Sequence, residues 1–211
     1  MITVNNILDV KKYIENYDAV IFDLDDTLYG EKQYVRSGYK KVAEVIDQVD
    51  GVYDKLYEAF LRHENAIDVV LAAEGIDSEE VKESCLYAYR YQEPDISLYD
   101  GVAAMLDEIR KSGKKLGIIT DGRPEGQRAK IKALDLEKRV DHIIITDELG
   151  GAKYRKPCPD AFKKMQELMD LPYEKLVYIG DNTSKDFIAP NALNMGAIYF
   201  KNTDGLYYTE G

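Results

Sequence analysis

The sequence predicts an α/β protein: a parallel sheet with helices on both faces, and an all-helical segment inserted after the first strand. Three observations carry this. Short apolar runs alternate with helical periodicity from Tyr99 to Phe200, as strands and crossover helices must in a parallel sheet. Nothing between Gly30 and Ser97 reads as a strand. Carboxylates, a hydroxyl and a lysine follow the apolar runs, placing reactive side chains at strand ends.

Taken in order, Asn6 to Asn16 reads as a short helix with Ile7, Leu8, Val10 and Ile14 near one face. Ala19 to Phe22 is an apolar run of buried-strand type, and Asp23 and Asp25 follow it. Past Gly30, Val35, Tyr39, Val42, Ile46 and Val49 recur at helical intervals. A second helical stretch runs from Val52 to about Ala73, with a break near His63-Glu64-Asn65. Ser78 before Glu79-Glu80 marks the start of a third, which Gln92-Glu93-Pro94 ends. Residues 30–98 are therefore read as an inserted helical domain, and residues 1–29 with 99–211 as the core. In the core, Val102 to Lys111 is a helix stopped at Gly113, and Lys115 to Ile119 a strand ending in Thr120-Asp121-Gly122. Pro124 to Leu134 is a helix with proline in its first turn, and His142 to Ile145 a strand. Pro159 to Met169 is a helix, Leu176 to Ile179 a strand, Lys185 to about Leu193 a helix, and Ala197 to Phe200 the last of five strands. Tyr207 to Gly211 carries no signal.

Composition excludes some partners. Of 211 residues, 45% are hydrophobic and 32% charged, which is globular rather than disordered. With 28 basic against 39 acidic residues, the net charge of −11 repels polyanions, so nucleic acid polymers and anionic membranes are not expected partners. A small phosphorylated metabolite is, because one phosphate needs only a local positive site. No apolar stretch reaches membrane-spanning length and the N-terminus has no leader pattern, so the expectation is a soluble cytoplasmic protein. Cys85 and Cys158 have no metal-type spacing and are expected as free thiols.

Asp23 and Asp25, one residue apart, are costly together unless a cation, a shared proton or solvent relieves them. Thr120, Lys156 and Asp181 with Asp186 behind it add further polar groups to the same rim. A magnesium ion fits such carboxylates, being a hard cation that binds oxygen and is commonly shared with substrate phosphate. With that charge and Lys156 cancelling repulsion, Asp23 could attack phosphorus.

The ordered set Asp23-Leu24-Asp25-Asp26-Thr27, Thr120, Lys156 within Arg155-Lys156-Pro157-Cys158-Pro159-Asp160, and Gly180-Asp181-Asn182-Thr183-Ser184-Lys185-Asp186 resembles the haloacid dehalogenase superfamily of phosphotransferases. The resemblance implies a Rossmann-like three-layer α/β/α core, strand order 3-2-1-4-5, with a helical cap. It implies that Asp23 is the nucleophile, forming an aspartyl-phosphate, and that Asp25 is the acid for the leaving group and then the base for water. Mg2+ would bind Asp23, the backbone carbonyl of Asp25, and Asp181, with Asp186 orienting metal-bound water or Lys156. Thr120, Asp121, Gly122 and Lys156 would surround the phosphate.

Some positions depart from the family pattern or lie outside its motifs. Asp121 stands where the family often has Asn and is expected to cap the next helix toward solvent. Lys153 is a less favoured substitute for Lys156. Thr27 is expected to close its own turn, and Asp26 to be exposed. Tyr29, Arg123, Arg36 and Arg90 are candidates for substrate binding, with Arg62, His63, Tyr34, Tyr87 and Tyr91 behind them. Each competes with the ordinary reading of a solvated helix face. The expected activity is a magnesium-dependent phosphohydrolase acting on a small monoester such as a sugar phosphate or nucleotide. Alternatives are a phosphosugar mutase, a 2-haloacid dehalogenase (disfavoured by Asp25), a phosphonate hydrolase using a cap lysine among Lys32, Lys40, Lys41, Lys55 and Lys82, and a phospho-receiver or non-catalytic binding protein. The substrate and the oligomeric state are not legible.

Overall fold

The computed structural model describes residues 1–206 and 208; the rest of the Tyr207 to Gly211 tail lies outside the described residues. The chain divides into two compact units, Met1–Glu31 with Ser97–Gly211, and Lys32–Ile96.

The first unit is built on a parallel sheet with six strands among the described residues: β1 (Ile2–Val4), β2 (Ala19–Phe22), β3 (Lys115–Thr120), β4 (His142–Ile145), β5 (Leu176–Gly180) and β6 (Gly196–Phe200), in the order β1-β6-β5-β2-β3-β4. The five expected strands take the expected order. The sixth, β1, was not anticipated: three residues are too few to show a period, and Ile2–Val4 becomes a strand by pairing Ile2 with Ile198 at the sheet edge.

β2 is central and wholly buried, which is why it reads as an unbroken apolar run rather than an alternating one. Its register sets Phe22 beside Ile118 of β3 and Ile179 of β5, so the carboxyl ends of three strands open onto one rim. The chain leaves β2 for β3 on one side and reaches β5 on the other, the switch point where such sheets bind ligands. Helices α5 (Val102–Lys111), α6 (Pro124–Ala133), α7 (Asp160–Met169) and α8 (Ile188–Ala192) belong to this unit. One core cluster joins Ile21, Ile119 and Tyr178 to Phe162, Met165 and Met169 of α7.

Two helix expectations are corrected. Asn6–Asn16 contains a 3-10 helix, Ile7–Lys12, capped by the Asn6 side chain on Leu8 N at 2.9 Å. The expected helix from Lys185 begins only at Ile188, because residues 183–187 form a turn that returns Asp186 to the rim.

The second unit is all-helical. It comprises nearly all of α1 (Glu31–Val45), with α2 (Val52–Leu61), α3 (Ala66–Ala73) and α4 (Glu79–Arg90). Val35, Tyr39, Val42, Ile46, Leu56, Leu71 and Cys85 form its core. The expected break between α2 and α3 falls at His63, whose φ of 59° ends the helix. Ser78 caps α4 through Val81 N. No helix among the described residues is long and apolar enough to cross a membrane, and both cysteines are free.

Candidate active site

β2 ends at Phe22, and Asp23 continues the ladder by donating its amide to Ile179 O at 2.8 Å. Its carboxylate is buried, and Lys156 Nζ donates to Oδ1 at 2.7 Å. Lys156 stands between two carboxylates. Its Nζ also lies 2.8 Å from Asp186 Oδ1, an ion contact, and donates to the Tyr178 hydroxyl at 2.9 Å. Burial alone would push the lysine down, but Asp186 and Asp23 outweigh it and hold the ammonium well above its ordinary value. Lys153, the alternative cation, sits over the Tyr154 ring at 5.1 Å.

Asp23, Asp181 and Asp186 each offer a carboxylate oxygen within 4.8 Å of the others, all buried. Burial pushes Asp23 up to about 7 against the pull of Lys156. Burial, then the charges of Asp23, Asp186 and Asp26, pushes Asp181 up to about 8. One lysine therefore does not neutralise this cluster, and its all-oxygen donor set fits a hard divalent cation. Besides its contact with Lys156, Asp186 accepts the Asn182 amide at 2.9 Å through Oδ2.

Asp25 is held by donors that sequence reasoning did not assign to it. Its Oδ1 accepts the Tyr29 hydroxyl and, at 2.7 Å, Lys130 Nζ, while Oδ2 accepts Gln127 Nε2 at 2.8 Å. Burial would raise this carboxyl, but the charge of Lys130 and bonds from Lys130, Tyr29 and Gln127 hold it below its ordinary value. Gln127 Nε2 also donates to Thr120 Oγ1 at the end of β3. Tyr29 is thus corrected from a substrate candidate to a fully buried partner of Asp25. Gln127 and Lys130 were missed because Gln and Lys on a helix read as a solvated face. Their signal was position: 127, 130, 131 and 134 form one helical stripe, the other two members being Ile131 and Leu134.

Other expectations also change. Asp26 is buried, with a φ of 53°. Its carboxylate accepts Glu31 N at 2.8 Å and Leu206 N at 2.7 Å, so tertiary amides use the acid expected in solvent. Thr27 donates its hydroxyl to Asp181 Oδ1 at 3.2 Å instead of closing its own turn. Asp121 neither caps α6 nor faces solvent. It accepts Thr146 Oγ1 at 3.0 Å, Lys156 N at 3.0 Å and Lys185 Nζ at 2.8 Å, anchoring the Lys156 loop. Gly122 has a φ of +140° before α6, and the α6 N-cap, Arg123, is exposed.

In the helical unit, Arg36 is exposed and donates to the Tyr57 hydroxyl at 2.8 Å. Arg90 is partly buried at the end of α4, where the exposed Tyr87 and Tyr91 rings pair at 4.6 Å. Tyr34 is buried against Tyr89, and Arg62 pairs with Glu64. Lys40, Lys41, Lys55 and Lys82 form surface ion pairs, unlike a buried imine-forming lysine.

Residues 20–200 match the family described as haloacid dehalogenase-like hydrolase. The chain belongs to this family. It is 25% identical over 204 residues to a glyceraldehyde 3-phosphate phosphatase of Pyrococcus abyssi, covering 87% of this chain and 81% of the relative. It is 30% identical over 203 residues to an N-acylneuraminate-9-phosphatase of Mus musculus, covering 84% and 79%. A HAD-superfamily hydrolase of subfamily IA from Geobacter sulfurreducens shares the fold with a TM-score of 0.67 at 16% identity, over 89% of each chain.

Proposed function

We propose that this haloacid dehalogenase-like hydrolase is a magnesium-dependent phosphatase that cleaves a small phosphate monoester through an aspartyl-phosphate on Asp23. The observation that carries this is Asp23 itself, a buried carboxylate at the central strand end with Lys156 Nζ at 2.7 Å and Asp181 and Asp186 beside it. The phosphatase names of the two curated relatives support a small phosphorylated metabolite as substrate.

Asp23, Asp181 and the backbone carbonyl of Asp25 would hold the magnesium ion. When bound, the ion offsets the charge of the carboxylates and of the phosphoryl oxygens. A carboxylate oxygen of Asp23 attacks phosphorus, a P–O bond to Asp23 forms, and the ester P–O bond breaks. Lys156 offsets the negative charge gathered at Asp23 and the transferring group, and Thr120 donates to a phosphoryl oxygen. Asp25 must carry a proton when the leaving oxygen departs and gives it up there. As an anion it then takes a proton from water, whose oxygen attacks the aspartyl-phosphate, releasing inorganic phosphate and restoring Asp23. The arrangement in which Lys130, Tyr29 and Gln127 hold Asp25 ionised suits this second step. The helical unit, residues 32–96, serves as the cap that excludes water and selects the ester; its own core and its insertion after β2 support that role.

The test is phosphate release from a panel of sugar, polyol, nucleoside and acid phosphates, with magnesium or chelator, for wild type and Asp23→Asn. Magnesium-dependent release that vanishes in the variant is expected. Failure of the folded, magnesium-loaded wild type to hydrolyse any ester overturns the reading.

A further inference from the structure

We propose that Gln127 and Lys130 of α6 are a positioning pair that fixes the Asp25 carboxylate and the direction of the Thr120 hydroxyl proton, so that both groups act on one phosphoryl group. This rests on the phosphatase reading, from which it takes the roles of Asp25 and Thr120.

Hydrogen-bond polarity carries the argument. An ionised carboxylate only accepts, so the side of the Gln127 amide that faces Asp25 Oδ2 at 2.8 Å must be its nitrogen. The same nitrogen lies on Thr120 Oγ1. An amide nitrogen has two protons and accepts nothing, so Thr120 oxygen is the acceptor there and its own proton is turned to another partner. Thr120 ends β3, beside the strand that presents Asp23, which is where a donor to a phosphoryl oxygen is wanted. On Asp25, Lys130 and Tyr29 take one oxygen and Gln127 the other, which leaves the carboxylate a single orientation.

Two further observations point the same way. Gln127 and Lys130 are 3% and 5% exposed on the inward stripe of α6, where burying polar groups is costly without matched partners. The loop before the helix is shaped around the amide: a Cβ on Gly122 would lie 3.2 Å from both Cγ and Cδ of Gln127, and the φ of +140° already disfavours a side chain there.

The test uses the full-length, magnesium-loaded enzyme, its fold checked by circular dichroism. Steady-state kinetics with p-nitrophenyl phosphate and the best ester of the panel compare wild type with Gln127→Glu, Gln127→Leu, Thr120→Val and the double variant Gln127→Leu/Thr120→Val. A glutamate at 127 supplies at most one proton and cannot serve both partners. We expect kcat of Gln127→Glu to fall about 100-fold, with KM within about threefold. If Gln127 acts through Thr120, the double variant should fall within about threefold of the worse single variant. A kcat for Gln127→Glu within about twofold of wild type, a loss carried by KM alone, or multiplicative losses in the double variant overturns the pair while leaving the phosphatase reading standing. A wild type that turns over no ester overturns both. If Gln127→Glu does not fold, the Gln127→Leu/Thr120→Val cycle decides.

Discussion

Gly180 lacks a side chain where Asp186 needs the room: a Cβ on Gly180 would come 2.9 Å from Asp186 Cγ. The end of β5 and the turn after it are thus fitted to one another. Asp186 then reaches both Lys156 Nζ at 2.8 Å and the Asn182 amide at 2.9 Å.

Gly180→Ala should therefore displace Asp186 and weaken its hold on Lys156. The expected loss of stability is about 1–3 kcal/mol, typical of overpacking a filled interior, and activity should fall with it. Chemical denaturation and phosphate release check the two effects; a variant as stable and as active as wild type would show that the turn yields freely.

Lys156→Met should be more severe. It leaves Asp23 and Asp186 buried without the cation between them, and breaking one partner of a buried ion pair costs about 3–5 kcal/mol. Activity should be lost. Denaturation with and without magnesium is the measurement, and added metal should recover part of the stability.

The metal-free protein should lose stability as pH rises. Asp23 and Asp181 are pushed up to about 7 and about 8, above the ordinary carboxylate value of 3.8, so the folded chain binds these protons more tightly than the unfolded chain does. That contribution is fully present below about pH 4 and is lost as pH climbs through 7 and 8. Other carboxylates act in the opposite sense at low pH, so the window to read is pH 5–8.5. Melting temperatures in chelator should decline across it, and stabilisation by magnesium should grow, because the metal needs deprotonated ligands. A magnesium effect independent of pH would contradict this.

Lys130→Met should move the pH profile of kcat. Lys130 is the largest influence opposing burial on Asp25, so removing it raises that carboxyl toward the value burial favours. The deprotonated base then appears only at higher pH, and the acid limb of the profile should shift upward. An unmoved acid limb in a folded variant would show that Asp25 does not govern it.

Much of this site was legible before any fold was known. Thr120 closes an apolar strand, and Asp23, Asp25, Lys156, Asp181 and Asp186 stand in loops directly after apolar runs or at fixed spacing within a motif, and such local patterns survive in a linear string. Partners were harder to read. Asp26 and Asp121 are short acids in loops, where solvent is the ordinary partner, yet the fold supplies Glu31 N and Leu206 N to one and Thr146, Lys156 N and Lys185 to the other.

By itself the sequence determined the parallel sheet, the helical insert and the rim of reactive residues, because apolar periodicity and turn chemistry act over a few neighbouring residues. Only the tertiary structure decided what each carboxylate touches. Asp25 meets Lys130 at a separation of 105 positions, and Asp23 meets Lys156 at 133. Pairings at that distance are set by how helices pack on the sheet. They also fix each group's charge, because an acid's proton affinity depends on its burial and on the cations brought beside it.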